Sequence, residues 1–155
     1  METYQLDSMD EQILTMLVRN ARIPFLEIAR ICGVSGTTIH QRVQRLTSLG
    51  IIQGTEYRID PSCIGYETCA FVGLKLNAGT RLDDVVDSLR DIPEVVEVHC
   101  TGEDYELLVK VYAHNNSHLL SLIQSQLCPL GVTQSKVIVS FRLMVQKQLN
   151  PFSAF

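Results

Sequence analysis

Between Ser35 and Arg45 the chain SGTTIHQRVQR is rich in hydroxyls, amides and guanidiniums and holds no carboxylate. Groups of this kind can hydrogen-bond base edges and phosphate oxygens, whereas carboxylates would be repelled by a phosphate backbone. If the segment is helical, Thr37, Thr38, Gln41, Arg42, Gln44 and Arg45 share its outward face, with His40 on the flank. The small residues Ser35, Gly36, Thr37 and Thr38 would let the backbone approach a duplex closely and leave helix-end N–H groups to a phosphate. Ser35, Thr37, Thr38, Gln41, Arg42 and Arg45 are therefore the candidate contacts to double-stranded DNA. The alternative is an ordinary solvated helix face.

The elements that position this face are legible around it. From Phe25 to Gly50, FLEIARICGVSGTTIHQRVQRLTSLG reads as two short helices joined by a glycine turn, the pattern of a helix-turn-helix. Leu26, Ile28, Ala29 and Ile31 are expected to form the apolar face of the first helix, which Gly33 ends. Ser35 is placed to cap the second helix, and Ile39, Val43 and Leu46 recur at i, i+4 and i+7 as its inner stripe. Upstream, LDSMDEQILTMLVRNAR predicts a supporting helix capped by Asp7 and Asp10, with Ile13, Leu14, Leu17 and Val18 inward. After Gly50, IIQGTEYRI predicts a short extended ribbon, as in a winged-type domain, and DPSCIG supplies breakers at Asp60, Pro61 and Gly65.

Composition narrows the partners. The net charge of −4 is unusual for a nucleic-acid binder, but its distribution resolves the conflict. Through Arg58 six arginines balance six acids; from Ile59 onward seven Lys and Arg face eleven acids. Between Arg30 and Arg58 there are four arginines and one glutamate, a local positive patch coincident with the helix-turn-helix. So small a patch binds DNA weakly, which points to a homo-oligomer with several copies of it. An apolar content of 46% suffices for buried cores. No apolar run reaches the roughly 20 residues of a membrane span, and METYQLDSMDE lacks the features of a signal peptide, so a cytoplasmic location without membrane contact is expected. Five cysteines, at 32, 63, 69, 100 and 128, have no C-x-x-C or zinc-type spacing and read as free, mostly buried thiols.

From Thr68 the hydrophobic period changes. AFVGLKLN, VVEVHCT, ELLVKVYA and QSKVIVSFRLMV read as strands. TRLDDVVDSLRDI reads as a helix with Leu82, Val85, Val86 and Leu89 inward, and NSHLLSLIQSQL as one with Leu119, Leu120, Ile123 and Leu127 inward. The order βαββαβ predicts a ferredoxin-like split sheet with both helices on one face and the other face free to pair with a second copy. The last strand, apolar at Val137, Ile138, Val139, Phe141 and Leu143, reads as buried on both faces. The expected fold class is thus α+β: a three-helix winged-type helix-turn-helix domain over residues 1–58, a linker over 59–67 and a ferredoxin-like domain over 68–155.

Enzymatic chemistry finds no support. No G-x-S-x-G, H-E-x-x-H or phosphate-cradling glycine loop occurs, so no catalytic residue and no cofactor is assigned. His114 and His118 stand four apart, a spacing used by metal sites, but no third ligand is near in sequence and polar surface histidines are expected.

Taken together, LDSMDEQILTMLVRNAR, GVSGTTIHQRVQRLTSLGIIQG, DPSCIG and TGEDYELLVKV resemble the leucine-responsive regulator family, the Lrp/AsnC or feast/famine transcription regulators, over nearly the whole chain. The resemblance implies a regulator that pairs through its sheet domain, assembles from dimers into tetramers or octamers, and responds to a small amino-acid effector. It places Thr37, Thr38, Gln41, Arg42 and Arg45 at recognition-helix positions and effector contacts on the loop Gly102, Glu103, Asp104, Tyr105. Aligned on Leu107 and Leu108, Asp104 stands where an aromatic is common in the family and Tyr105 where an aspartate is. Ser135 matches a small hydroxyl at the start of the last strand, while Val137 replaces a second one. A solvated glycine turn is the alternative reading of the loop. Two other functions fit the same domain pair: an architectural protein that wraps DNA without a ligand, and, remotely, an enzyme similar to sirohaem decarboxylases, for which His99 is the one candidate iron ligand.

Overall fold

The computed structural model describes residues 5–102, 104–150 and 152, which fold as two compact units. One comprises residues 5–57 together with 145–150 and 152; the other is Arg58–Met144. No helix among the described residues is long and apolar enough to cross a membrane.

The first unit contains α1 (Ser8–Arg19), α2 (Phe25–Cys32) and α3 (Gly36–Ser48). α1 begins with a reciprocal cap, in which the Asp7 carboxylate accepts the Asp10 N–H at 2.8 Å and the Asp10 carboxylate accepts the Asp7 N–H at 3.4 Å. α2 stops at Gly33, whose φ of +68° would strain any other residue. Ser35 then caps α3, its Oγ accepting the Thr38 N–H at 3.1 Å. Ile13, Ile28, Ala29, Ile39 and Leu46 close the core. The face expected for α2 is only half right: Leu26 and Ile31 are 77% and 59% exposed. The helical period instead aligns Ile28 and Ala29 with the half-buried Phe25 and Cys32 on one stripe, and sends Leu26 and Ile31 away from it.

The expected ribbon after Gly50 is not a strand. Residues 53–60 are exposed and carry no strand pairing. An extended segment without a neighbouring strand leaves its N–H and C=O groups to water. At its end, the Arg22 guanidinium lies 4.8 Å over the Tyr57 ring.

The second unit holds β1 (Thr68–Leu76), α4 (Leu82–Arg90), β2 (Val95–Cys100), β3 (Leu107–Ala113), α5 (Asn116–Leu122) and β4 (Val132–Ser140). The strands lie in the order β2-β3-β1-β4, every neighbour antiparallel, which is the ferredoxin-like arrangement. Ala70, Val72 and Leu74 of β1 and Leu107, Val109 and Val111 of β3 pack against Val85, Leu89, Leu119, Leu122, Ile123 and Leu127. At roughly 1.5–3 kcal/mol for each fully buried aliphatic side chain, this cluster is the main source of the unit's stability. Two details depart from the expected helices. Leu120 is outward and exposed. After Leu122 the α5 helix widens into a π turn over Ile123–Leu127, and the added residue rotates Leu127 inward where Gln126 would otherwise face the core.

β4 is an edge strand, not a doubly buried one: Val137, Ile138 and Val139 are exposed in the single chain, as are Phe141 and Leu143 beyond it. Among the described residues only β1 pairs with it.

Candidate nucleic-acid interface and ligand cleft

α3 presents its polar groups unequally. Thr37, His40, Gln41, Gln44 and Arg45 are exposed. Thr38 is half-buried and tied into the cap, its hydroxyl 2.8 Å from Ser35 Oγ. His40 stands beside the Phe25 ring, with ring centres 6.0 Å apart.

Arg42 does not share the outward face assigned to it by the sequence. Three residues from Ile39 and one from Val43, it lies along the inner stripe, and its guanidinium reaches back to α1. It donates to Asp7 at 2.6 Å and to Asp10 at 2.8 Å, and the Asp10 side chain is only 2% exposed. The Arg42 hydrogen bond holds the Asp7 carboxyl below its ordinary range, and Asp7, then Asp10, raise the Arg42 guanidinium further. Arg42 thus brackets α3 to the capping box of α1 and fixes the angle at which the exposed face is offered.

In the sheet unit the predicted loop and the helix-free face of the sheet form a cleft of about 470 Å³, lined by Gly73, Thr101, Gly102, Asp104, Tyr105, Leu108, Lys136 and Ile138. Gly102, Asp104 and Tyr105 are therefore brought together as expected; Glu103 lies outside the described residues. The loop is held from both sides. Thr101 donates its hydroxyl to the Tyr105 carbonyl at 2.5 Å and its N–H to the Glu106 carbonyl at 2.9 Å. Glu106 in turn donates its N–H to Leu74 at 3.0 Å and accepts the Leu76 N–H at 3.0 Å, which lowers its carboxyl below the usual range.

Gly73 explains where Tyr105 goes. A Cβ at residue 73 would sit 2.9 Å from the Tyr105 Cγ and 3.1 and 3.2 Å from its Cδ atoms, so the ring lies directly on the strand where the side chain is missing. A glycine inside an otherwise apolar strand marks such a close approach. Tyr105 thereby becomes the floor of the cleft. Gly102, in contrast, has nothing within 4 Å of an added Cβ.

Ser135 is not brought to this site. It pairs with Leu74, a core residue, and so shares the helix-covered face, whereas Lys136 pairs with Gly73 and Ile138 with Phe71 on the open face. Strand alternation thus delivers Lys136 and Ile138 to the cleft in place of Ser135. The remainder of the open face carries Cys69, Phe71, Tyr112 and the Lys110–Glu97 ion pair at 2.6 Å. Lys110 holds the Glu97 carboxyl down, and Glu97 raises the Lys110 ammonium. His99, the candidate iron ligand, faces the same carboxylate at 3.4 Å.

The two histidines near α5 are more engaged than bare surface groups. Their rings stack at 5.0 Å, His114 Nδ1 donates to the Gly65 carbonyl at 2.7 Å, and His118 Nδ1 accepts the His114 N–H at 3.2 Å. With Tyr66 4.1 Å from the His114 ring, they fasten the turn before β1 to the start of α5. Partial burial pushes the Cys32 and Cys69 thiols up, whereas Cys63 and Cys100 are exposed, not buried as expected.

Comparison with known proteins matches both halves. Residues 6–47 fit the model of an AsnC-type helix-turn-helix domain, and residues 69–149 that of the Lrp/AsnC ligand binding domain. Among curated relatives, the regulatory protein AsnC of Haemophilus influenzae is 33% identical over 96% of this chain and 99% of its own. The HTH-type transcriptional regulator FL11 of Pyrococcus furiosus is 35% identical over 74% of this chain and 75% of its own. The solved structure of Escherichia coli AsnC superposes with a TM-score of 0.88 at 26% identity, covering 96% of this chain and 100% of that one. With an α3 that offers exposed donors beyond a glycine turn, a cleft on a ferredoxin-like sheet, and both halves matched in this order, the chain belongs to the Lrp/AsnC family and is a transcription regulator with a DNA-binding helix-turn-helix and a ligand-binding domain.

Proposed function

We propose that this regulator reads double-stranded DNA through Ser35, Thr37, Thr38, Gln41 and Arg45, with Arg42 as the residue that sets the angle of α3, and that it responds to an amino acid or a related small metabolite held at the 102–105 loop. It acts in the cytoplasm as a homo-oligomer, dimers paired through the open sheet faces and assembled into a tetramer or octamer. The observation that carries this reading is the cleft itself: three loop residues assigned to the effector from the sequence line one concavity with an apolar wall and both signs of charge. An amino acid needs a carboxylate for its ammonium and donors for its own carboxylate. Asp104 supplies the first, and N–H donors elsewhere in the cleft lining are suited to the second.

The open face supports the pairing. Phe71, Leu108, Tyr112 and Ile138 form an apolar surface around one ion pair, and a second copy laid on it would roof the cleft. A ligand bound there has different affinity for paired and unpaired forms, and that difference is what shifts the spacing of the α3 helices. The test is fluorescence anisotropy with a labelled duplex from the protein's own upstream region, titrated with salt, with and without a mixture of the twenty amino acids. The expected result is an affinity that depends on the mixture and a salt slope that falls by about one in Arg45→Ala. An affinity insensitive to every amino acid contradicts the effector role, and an unchanged slope in Arg45→Ala contradicts the DNA assignment.

A further inference from the structure

We infer that Lys136 is the carboxylate anchor of the ligand cleft and that it sets which anionic group the cleft accepts. This rests on the effector reading above. Lys136 is exposed on β4, lines the cleft and has no ion-pair partner among the described residues. It is the one cation in the lining, against one described carboxylate, Asp104.

The register gives these charges separate ends of the cleft. Leu108, Gly73 and Lys136 are consecutive partners across β3, β1 and β4. With strands about 4.8 Å apart, the Lys136 backbone stands two spacings, about 10 Å, from that of Leu108, on the far side of β1 from the loop. Tyr105 spans the interval, its ring seated on Gly73. The cleft therefore runs from an anionic end at Asp104, over an apolar floor of Tyr105, Leu108 and Ile138, to a cationic end at Lys136. A zwitterion fits this polarity in one direction only, ammonium toward the loop and carboxylate toward β4.

A lysine in this position is a flexible point charge, able to meet either an α-carboxylate or a carboxylate on the ligand's side chain. Both sources share the chemistry, and the acid and amide pairs of natural amino acids separate them.

The experiment is isothermal titration of the full chain and of Lys136→Gln and Lys136→Arg with leucine, aspartate, asparagine, glutamate and glutamine as probes. Removing one charge-assisted contact is expected to weaken binding in Lys136→Gln by about tenfold or more, while Lys136→Arg stays within a few-fold of the natural protein. A loss confined to aspartate and glutamate assigns the anchor to a side-chain carboxylate; a loss shared by every probe that binds assigns it to the α-carboxylate. Unchanged thermal unfolding and unchanged sedimentation of both variants show that the loss is local, due neither to the fold nor to pairing of copies. Unchanged affinity in Lys136→Gln overturns the anchor while leaving the effector reading intact. A natural protein that binds none of these probes, and none of the remaining amino acids, overturns the effector reading and the anchor together.

Discussion

The helical unit and the sheet unit both present functional groups on a scaffold, yet they do so by different geometry. The helical unit offers a site carried on one element: the groups of α3 follow one another at helical spacing, and a glycine stop, a serine cap and one arginine bracket fix the helix. The sheet unit composes its site from a loop and three strands, so that Gly73, Leu108, Lys136 and Tyr105 meet only through register. One site is therefore sensitive to how a helix is held, and the other to what each strand position leaves room for.

Arg42→Ala is expected to give the largest effect, because it leaves the buried Asp10 carboxylate without its charged donor. We predict about 2 kcal/mol of destabilisation of the helical unit, discounted for the exposure of Asp7, with DNA binding lost as a consequence. Arg45→Ala should leave stability within about 0.5 kcal/mol and weaken DNA binding alone. Thermal unfolding of the two variants side by side separates a bracket from a contact; equal stability of both would put Arg42 back on the DNA-facing side.

In the sheet unit Gly73→Ala places a Cβ against the Tyr105 ring and must displace it. Overpacking at a surface ring that can lift away should cost about 1 kcal/mol, and the ligand should lose its floor, with affinity falling by about tenfold. Gly102→Val meets no neighbour at its Cβ, so the fold should be untouched while the added methyls occupy the cleft. Titration calorimetry that finds ligand affinity unchanged in both variants would move the site elsewhere.

How much was legible in the chain follows from the same contrast. The capping box at Asp7 and Asp10, the αL glycine at Gly33 and the Ser35 cap are local signals, and each stands in the structure where its spacing put it. The resemblance points to the loop that lines the cleft, but nothing local points to Lys136 and Ile138, because only the pairing of Gly73 with Lys136 decides which face of β4 reaches the loop. Ser135 carries the hydroxyl that the resemblance points to, but its pairing with Leu74 turns it to the helix-covered face. Arg42 leaves the outward face for a related reason: its charge alone favours solvent, whereas its place beside Val43 and two carboxylates at the start of α1 turns it inward. The one local clue to the cleft was Gly73, a glycine in the middle of an apolar strand.

A smaller effect, acid destabilisation, is carried by a different carboxylate in each unit. The Asp7 carboxyl is held below its ordinary value of 3.8 in the folded chain, so its pairing contributes stability that is present above that value and is lost as pH falls through the lowered one. The helical unit should therefore lose stability in acid below about pH 4, and Asp7→Asn should flatten that part of the profile. The Glu97–Lys110 pair gives the sheet unit a loss of the same sign, removed by Glu97→Gln. Urea unfolding followed at pH 3, 4 and 6 checks both; a profile that keeps its acid slope in Asp7→Asn would assign that slope to other carboxylates.

The account stands most directly on sedimentation of the purified chain with a labelled fragment of its own upstream DNA, in the presence and absence of the twenty amino acids. It reports assembly size, DNA binding and ligand response in one measurement. The prediction is a multimeric complex with DNA whose size or affinity changes when one of the amino acids is present. A complex of the same size and affinity whether or not they are added would contradict the coupling between cleft and recognition helix, and would favour a protein that wraps DNA without a ligand.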